Sequence, residues 1–162
     1  MSKPKFARSI EDFIALDKTV SVSGLDYMKS MMEGTCPAAP ISETLNYKLI
    51  EVEKGKVVFR GSPGFNSLNP IGTVHGGWYG TVLDSAMACA VSTKVPKGFT
   101  STTLEFKVNI TRPIPMAMEV DIIGRSTHAG RSTGVAWAKI IGTANGKLYA
   151  TGSTTCMVIK VL

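Results

Sequence analysis

Cysteine is scarce in this 162-residue sequence, with three residues, Cys36, Cys89 and Cys156. They are odd in number and widely spaced, and none forms a C-x-x-C pair. This excludes a disulfide framework, a thiolate metal site and a dithiol redox centre, and reads all three as reduced and structural. Histidine is scarcer still: His75 and His128 lie far apart, so no metal-ligand set is present and no metal or cofactor is expected. No stretch of 18 or more residues is both apolar and free of charge. The nearest, 74–93, contains Asp84 and many small or polar residues, which excludes a membrane-spanning helix. Residues 1–13 carry Lys3, Lys5 and Arg8, then Glu11 and Asp12 where a secretory leader needs an apolar run, so a cytoplasmic location is expected. Charged residues make up only 19% against 44% hydrophobic, the reverse of a disordered composition. The net charge of +6 is spread along the chain without a dense basic run or interleaved aromatics, which argues against nucleic acid. A small phosphorylated ligand and a plain solvated basic surface account for it equally well.

The length suits one domain burying about two-thirds of the surface of its unfolded chain. Residues 1–34 read as a helical N-terminal extension, in which Leu25, Met28, Met31 and Met32 recur at near-helical spacing before Gly34. The main domain is expected over 35–162. Cys36-Pro37-Ala38-Ala39-Pro40 reads as an extended connector, because proline fixes its own backbone and restrains its neighbour. From Ile41 the period becomes two, and Glu53-Lys54-Gly55-Lys56 turns the chain into a hairpin. A loop over 61–73 precedes the best long-helix candidate, Gly76 to Val95. Leu104, Phe106, Val108 and Ile110 then alternate with polar residues as a half-buried strand, closed by Pro113 and Pro115. Strand segments from Met118 to Ile122, Val135 to Ile141 and Leu148 to Ile159 follow. A turn is expected at Thr127-His128-Ala129-Gly130 and a tight hairpin at Asn145-Gly146. The order reads as two strands, a long helix, then three long antiparallel strands. A helix apolar nearly all round must be covered on most of its circumference, so the sheet has to wrap it. The fold class is α+β, a curved antiparallel sheet around one central helix: the hotdog arrangement.

Between Val74 and Thr93 Asp84 is the one formal charge, among Val82, Leu83, Ala86, Met87, Ala88 and Cys89. A carboxylate there is paired, protonated or placed in a cleft for chemistry, unless it faces solvent or caps a loop. His75-Gly76-Gly77 begins the helix, where two glycines let a ligand approach first-turn N–H groups and the helix dipole favours a developing oxyanion; packing alone is the other reading. Gly76 and Asp84 lie eight residues apart, roughly 12 Å at 1.5 Å per residue. One chain cannot easily aim both at one carbonyl, so a shared site implies two subunits with their helices side by side and two sites per dimer.

The run Asn69-Pro70-Ile71-Gly72-Thr73-Val74-His75-Gly76-Gly77 with Asp84 beyond it resembles the hotdog acyl-CoA thioesterases of the phenylacetate-degradation (PaaI) type. The resemblance extends over about residues 24 to 160, including Gly24-Leu25-Asp26-Tyr27-Met28, Thr103-Leu104-Glu105 and Thr111-Arg112-Pro113. It implies hydrolysis of an acyl-CoA to a free acid and CoA. Asp84 is then the catalytic base or nucleophile and the Gly76 N–H the oxyanion donor from the opposite subunit. Asn69 places water or carbonyl, His75 orients the loop, and Thr103 lines the site beside Asp84. Gly77, Arg112, Arg131 and Ser132 become the CoA-binding positions, since guanidinium forks suit phosphate. Trp78 and Tyr79 are either core residues or walls of a pocket for a flat or short acyl group. The resemblance further implies a homodimer, paired into a dimer of dimers. A histidine-based hotdog hydratase is disfavoured by the lack of a matching Asp/His pair. The alternative from another class is a non-catalytic acyl-CoA-binding sensor.

Overall fold

The computed structural model describes residues 6–162, so Lys3 and Lys5 of the N-terminal basic cluster lie outside the described residues. After a 3₁₀ turn at Ile10–Asp12 come α1 (Leu16–Thr19), α2 (Gly24–Glu33) and α3 (Pro40–Thr44). The hairpin β1 (Tyr47–Glu53) and β2 (Lys56–Gly61), the helix α4 (Gly76–Ser92), then β3 (Phe99–Ile110), β4 (Val120–Ala129), β5 (Thr133–Gly142) and β6 (Leu148–Lys160) complete the chain. The six strands form one antiparallel sheet in the order β1-β2-β4-β5-β6-β3.

This is the hotdog fold that the patterning predicts. α4 packs on β2 to β6. Val82, Leu83, Ala86, Met87 and Ala90 from the helix meet Ile122, Ala136, Ala138, Ile140 and Ala150 from the sheet in a single core. Small residues let the layers approach closely: a Cβ built on Gly124 of β4 would stand 2.1 Å from the Ala86 carbonyl oxygen of α4. The extension joins the same core through Met28 of α2. Ser23 caps α2, its hydroxyl accepting the Asp26 N–H, and Gly34 ends it in the left-handed conformation at φ 79°.

Four expectations are corrected. The connector does not run extended into the sheet at Ile41, because Pro40 sits in the first turn of α3, where its missing N–H costs nothing, and pairing starts at Tyr47. Four strands follow α4 rather than three, since β3 pairs only with β6 while β4 pairs with β2 and β5. β4 continues through Thr127, His128 and Ala129, moving the turn to residues 130–132. Finally, the apolar alternation of β3 is not half-buried within the chain: Leu104, Phe106 and Ile110 are 58%, 45% and 49% exposed. β3 is an edge strand with an unpaired side, whereas on the β1 side of α4 the helix α2 packs against both β1 and α4.

Candidate active site

The loop before α4 is built by its own polar groups. The Asn69 side-chain oxygen accepts the N–H groups of Ile71 and Thr73, and its amide donates to the Thr73 hydroxyl at 2.7 Å. The turn needs φ +79° at position 72, which glycine adopts without strain. Asn69 thus folds the loop that sets the start of the helix. His75 is the N-cap of α4, its Nδ1 accepting the Gly77 N–H at 2.8 Å, and its own N–H is held by the Ser67 carbonyl. The orienting role expected of His75 therefore has a geometric basis. Gly77 differs from expectation, because its amide is already engaged by His75 and is not free for a ligand. The Gly76 N–H meets no acceptor among the described residues and lies exposed at the positive end of a 17-residue helix.

Two turns along the same helix, Asp84 is half-buried and its Oδ1 accepts a hydrogen bond of 2.9 Å from the Thr103 hydroxyl on β3. The bond fixes the carboxylate and leaves its second oxygen available. A register shift between Thr103 and Glu105 lets both the 101–103 and 106–110 parts of β3 face the helix. Phe106 and Ile110 accordingly lie near Gly80 and Gly76. Neighbouring α4 positions Gly77, Thr81, Asp84 and Ala88 form a stripe that the sheet leaves partly uncovered.

Sequence reading did not single out Tyr47 and Ser85, whose hydroxyls bond at 2.9 Å beside Asp84. No spacing signal links two residues 38 positions apart; only the fold brings β1 to α4. Two thiols also lie nearby. Burial, then the Asp84 charge, then Cys156 push Cys89 up to about 12. Burial raises Cys156 as well, despite lowering hydrogen bonds from Thr103 and Thr154. Neither is a thiolate nucleophile near neutral pH.

Trp78 and Tyr79 are core residues and not pocket walls: both are buried, with the Trp78 Nε1 donating to the Leu45 carbonyl and the Tyr79 hydroxyl accepting the Ile114 N–H. Arg112 is exposed and donates to the Leu148 carbonyl at 2.8 Å. Arg131, also exposed, lines a shallow groove with Lys94, Phe99 and Val158. The neighbouring Ser132 is exposed and uses its carbonyl to accept the Val158 N–H. One chain does not bring the two arginines together, because Arg112 bonds near Tyr149 and Arg131 adjoins Val158, nine residues along β6, about 30 Å at ~3.3 Å per residue. Among the described residues no group of three or more His, Cys, Asp or Glu is placed to hold a metal, and no helix is long and apolar enough to cross a membrane.

Comparison with known proteins agrees with this geometry. A family model described as the thioesterase superfamily matches residues 71–142. Among solved structures, a phenylacetic acid degradation-related protein from Ralstonia eutropha JMP134 is similar at 27% identity, covering 81% of this chain and 98% of its own, with a TM-score of 0.73. A hypothetical thioesterase from Streptococcus pneumoniae TIGR4, solved with coenzyme A, is 26% identical over 72% of this chain and 88% of its own, with a TM-score of 0.65. The Escherichia coli PaaI protein shares the fold at 19% identity, with a TM-score of 0.73 over 91% of this chain and 98% of its own. No curated protein matches the sequence. His75, Gly76 and Asp84 lie within the segment that the thioesterase superfamily model matches, and the chain is similar to hotdog thioesterases of the PaaI type, which supports thioester hydrolysis.

Proposed function

We propose that the protein is a cytoplasmic acyl-CoA thioesterase whose active sites are shared between two copies of the chain. The observation that carries this reading is the placement on one helix of an unengaged N-terminal N–H at Gly76 and a carboxylate at Asp84, roughly 12 Å apart at 1.5 Å per residue, on a stripe the sheet leaves open. A second copy with its α4 antiparallel beside the first brings each Asp84 opposite the Gly76 N–H of the partner subunit. The exposed Leu104, Phe106 and Ile110 on the unpaired edge strand β3 supply an apolar surface for the same contact.

In such a site the thioester carbonyl oxygen accepts the Gly76 N–H, where the helix end favours the charge that grows on it in the transition state. Asp84 uses the oxygen not bonded to Thr103 to take a proton from the attacking water, or attacks the carbonyl itself. The carbon–sulfur bond then breaks and CoA leaves as the thiol with the proton given up by water; where Asp84 itself attacks, that water arrives second and hydrolyses the mixed anhydride on Asp84 to release the acid. Antiparallel pairing of β3 with its copy places the Ile110 end of one strand beside the Phe99 end of the other. Arg112 then lies near Arg131 of the partner subunit, and the two guanidinium groups face the same CoA phosphates from opposite chains. No metal or cofactor enters this scheme, and two such dimers pair into a tetramer.

The test is thiol release from a panel of acyl-CoAs by the wild type and by Asp84→Asn. The variant should lose activity by about 10²-fold or more, the scale of a removed general base. Equal rates in the two proteins overturn the assignment of Asp84.

A further inference from the structure

Between α4, β1 and the N-terminal extension lies a cavity of about 560 Å³ that the scheme above does not use. On the α4 side its wall is Ser85 and Cys89, one and five residues past Asp84. The opposite wall is Met31 and Met32 of α2 with Ala38 and Ala39 of the following segment, all outside the 71–142 core matched by the family model. We infer that this cavity holds the acyl chain, that it takes an unbranched apolar acyl group of medium length, and that α2 sets the length. This rests on the thioesterase reading.

Three observations carry it. The first is position: Ser85 and Cys89 of the wall are one and five residues past Asp84 on the same helix, and Ser85 is tied to Tyr47 of β1 at 2.9 Å, so the cavity runs along α4 beside the turn that carries the carboxylate. The second is chemistry. The polar groups of the inner wall are satisfied within the protein, Tyr47 with Ser85 at 2.9 Å and the Ser42 hydroxyl with the Ala39 carbonyl at 2.6 Å. Among the described residues, no buried side-chain nitrogen or oxygen lacks a partner. Along the inner wall an acyl group with a polar substituent would meet hydroxyls already paired within the protein, whereas methylenes meet methionine, leucine and phenylalanine surface. The third is size. At about 30 Å³ for a water-sized group, a chain of about eight to twelve carbons fills roughly half to two-thirds of the cavity, and an acetyl group leaves it nearly empty. At its far rim stand Lys48, Arg60 and Glu119, where Arg60 is already held by Asp121 at 2.7 and 3.0 Å. Carbons beyond that rim return to water and add nothing.

The experiment is kcat/KM across straight-chain acyl-CoAs of two to sixteen carbons for the wild type, Met31→Ala and Met31→Trp. Burial of a methylene corresponds to up to about fourfold in binding, so the wild-type profile should climb steeply and level off near ten to twelve carbons. Met31→Ala should move the plateau to longer chains and Met31→Trp to shorter ones. Should Met31→Trp not fold, Ala39→Leu narrows the cavity from the following segment. A flat profile, or variants that both track the wild type, overturns the inference. The same chain-length series titrated calorimetrically against Asp84→Asn separates the two claims. Affinity rising with length in a protein whose wild type releases no thiol keeps the pocket and removes the hydrolase reading, while affinity independent of length removes the pocket whatever the wild type hydrolyses.

Discussion

Gly124 brings the sheet close to the backbone of α4, and a single methyl group there should disturb both the fold and the site. A Cβ at this position would sit 2.1 Å from the Ala86 carbonyl oxygen and 2.6 Å from its carbonyl carbon. Ordinary contact starts at 3.4 Å, so in Gly124→Ala the helix must retreat by about 1.3 Å or β4 must bulge. Backbone cannot rotate aside as a side chain can, which places the cost toward the upper end of overpacking, about 2–3 kcal/mol. For a chain of this size that lowers Tm by about 6 to 9 °C, at ~3 °C per kcal/mol. Asp84 lies two residues before Ala86. A shift of that size takes its 2.9 Å bond with Thr103 past hydrogen-bonding range and turns the carboxylate away from its place in the proposed site. Thioesterase activity measured 20 °C below the variant's own Tm should therefore still be at least tenfold low. The control is Gly64→Ala, where φ is −88° and no atom stands within 4 Å of the new Cβ, and which should match the wild type in both assays. A Gly124→Ala protein with unchanged Tm and full activity would refute the close approach of helix and sheet on which the site geometry depends.

Raising the folded pKa of Cys89 to about 12 makes stability sensitive to base. Below about pH 9 the thiol is protonated in both states and its contribution is intact; above that the unfolded chain ionises first, and stability falls by about 1.4 kcal/mol per pH unit as the pH rises toward 12. Thermal melts from pH 8 to 11 should show a shallower decline for Cys89→Ala than for the wild type, and parallel declines count against the burial of this thiol. His75→Ala removes the cap from Gly77 and should cost about 1 kcal/mol of stability, with His75→Asn recovering most of it; equal melting of all three proteins contradicts the capping role. Leu104→Lys puts a charge on the exposed apolar edge of β3 and, on the proposed shared site, should shift the wild-type assembly toward monomer in sedimentation equilibrium, with loss of thiol release; an active Leu104→Lys monomer contradicts the shared site.

The local sequence determined a good deal of this protein. Alternating residues around Leu104 to Ile110, the Asn145-Gly146 turn and a helix with one interior charge were enough to predict the wrapped sheet, because period and turn chemistry act within a few residues. The cap of His75 on Gly77 and the bonds of Asn69 within its own loop are equally short-range. Other features were settled by tertiary structure. Whether an apolar strand face is covered depends on its place in the sheet, and β3 became an edge only because β6 and not β4 pairs with it, so its pattern looked half-buried and is exposed. Trp78 and Tyr79 entered the core because partners distant in sequence, Leu45 and Ile114, received their polar atoms. The resemblance assigns Arg112 and Arg131 to one CoA-binding surface, yet within one chain they lie at opposite ends of β6. The cavity between α2, β1 and α4 has no sequence signature at all, because it is the space left between elements and its walls come from stretches as far apart as Phe6 and Glu119.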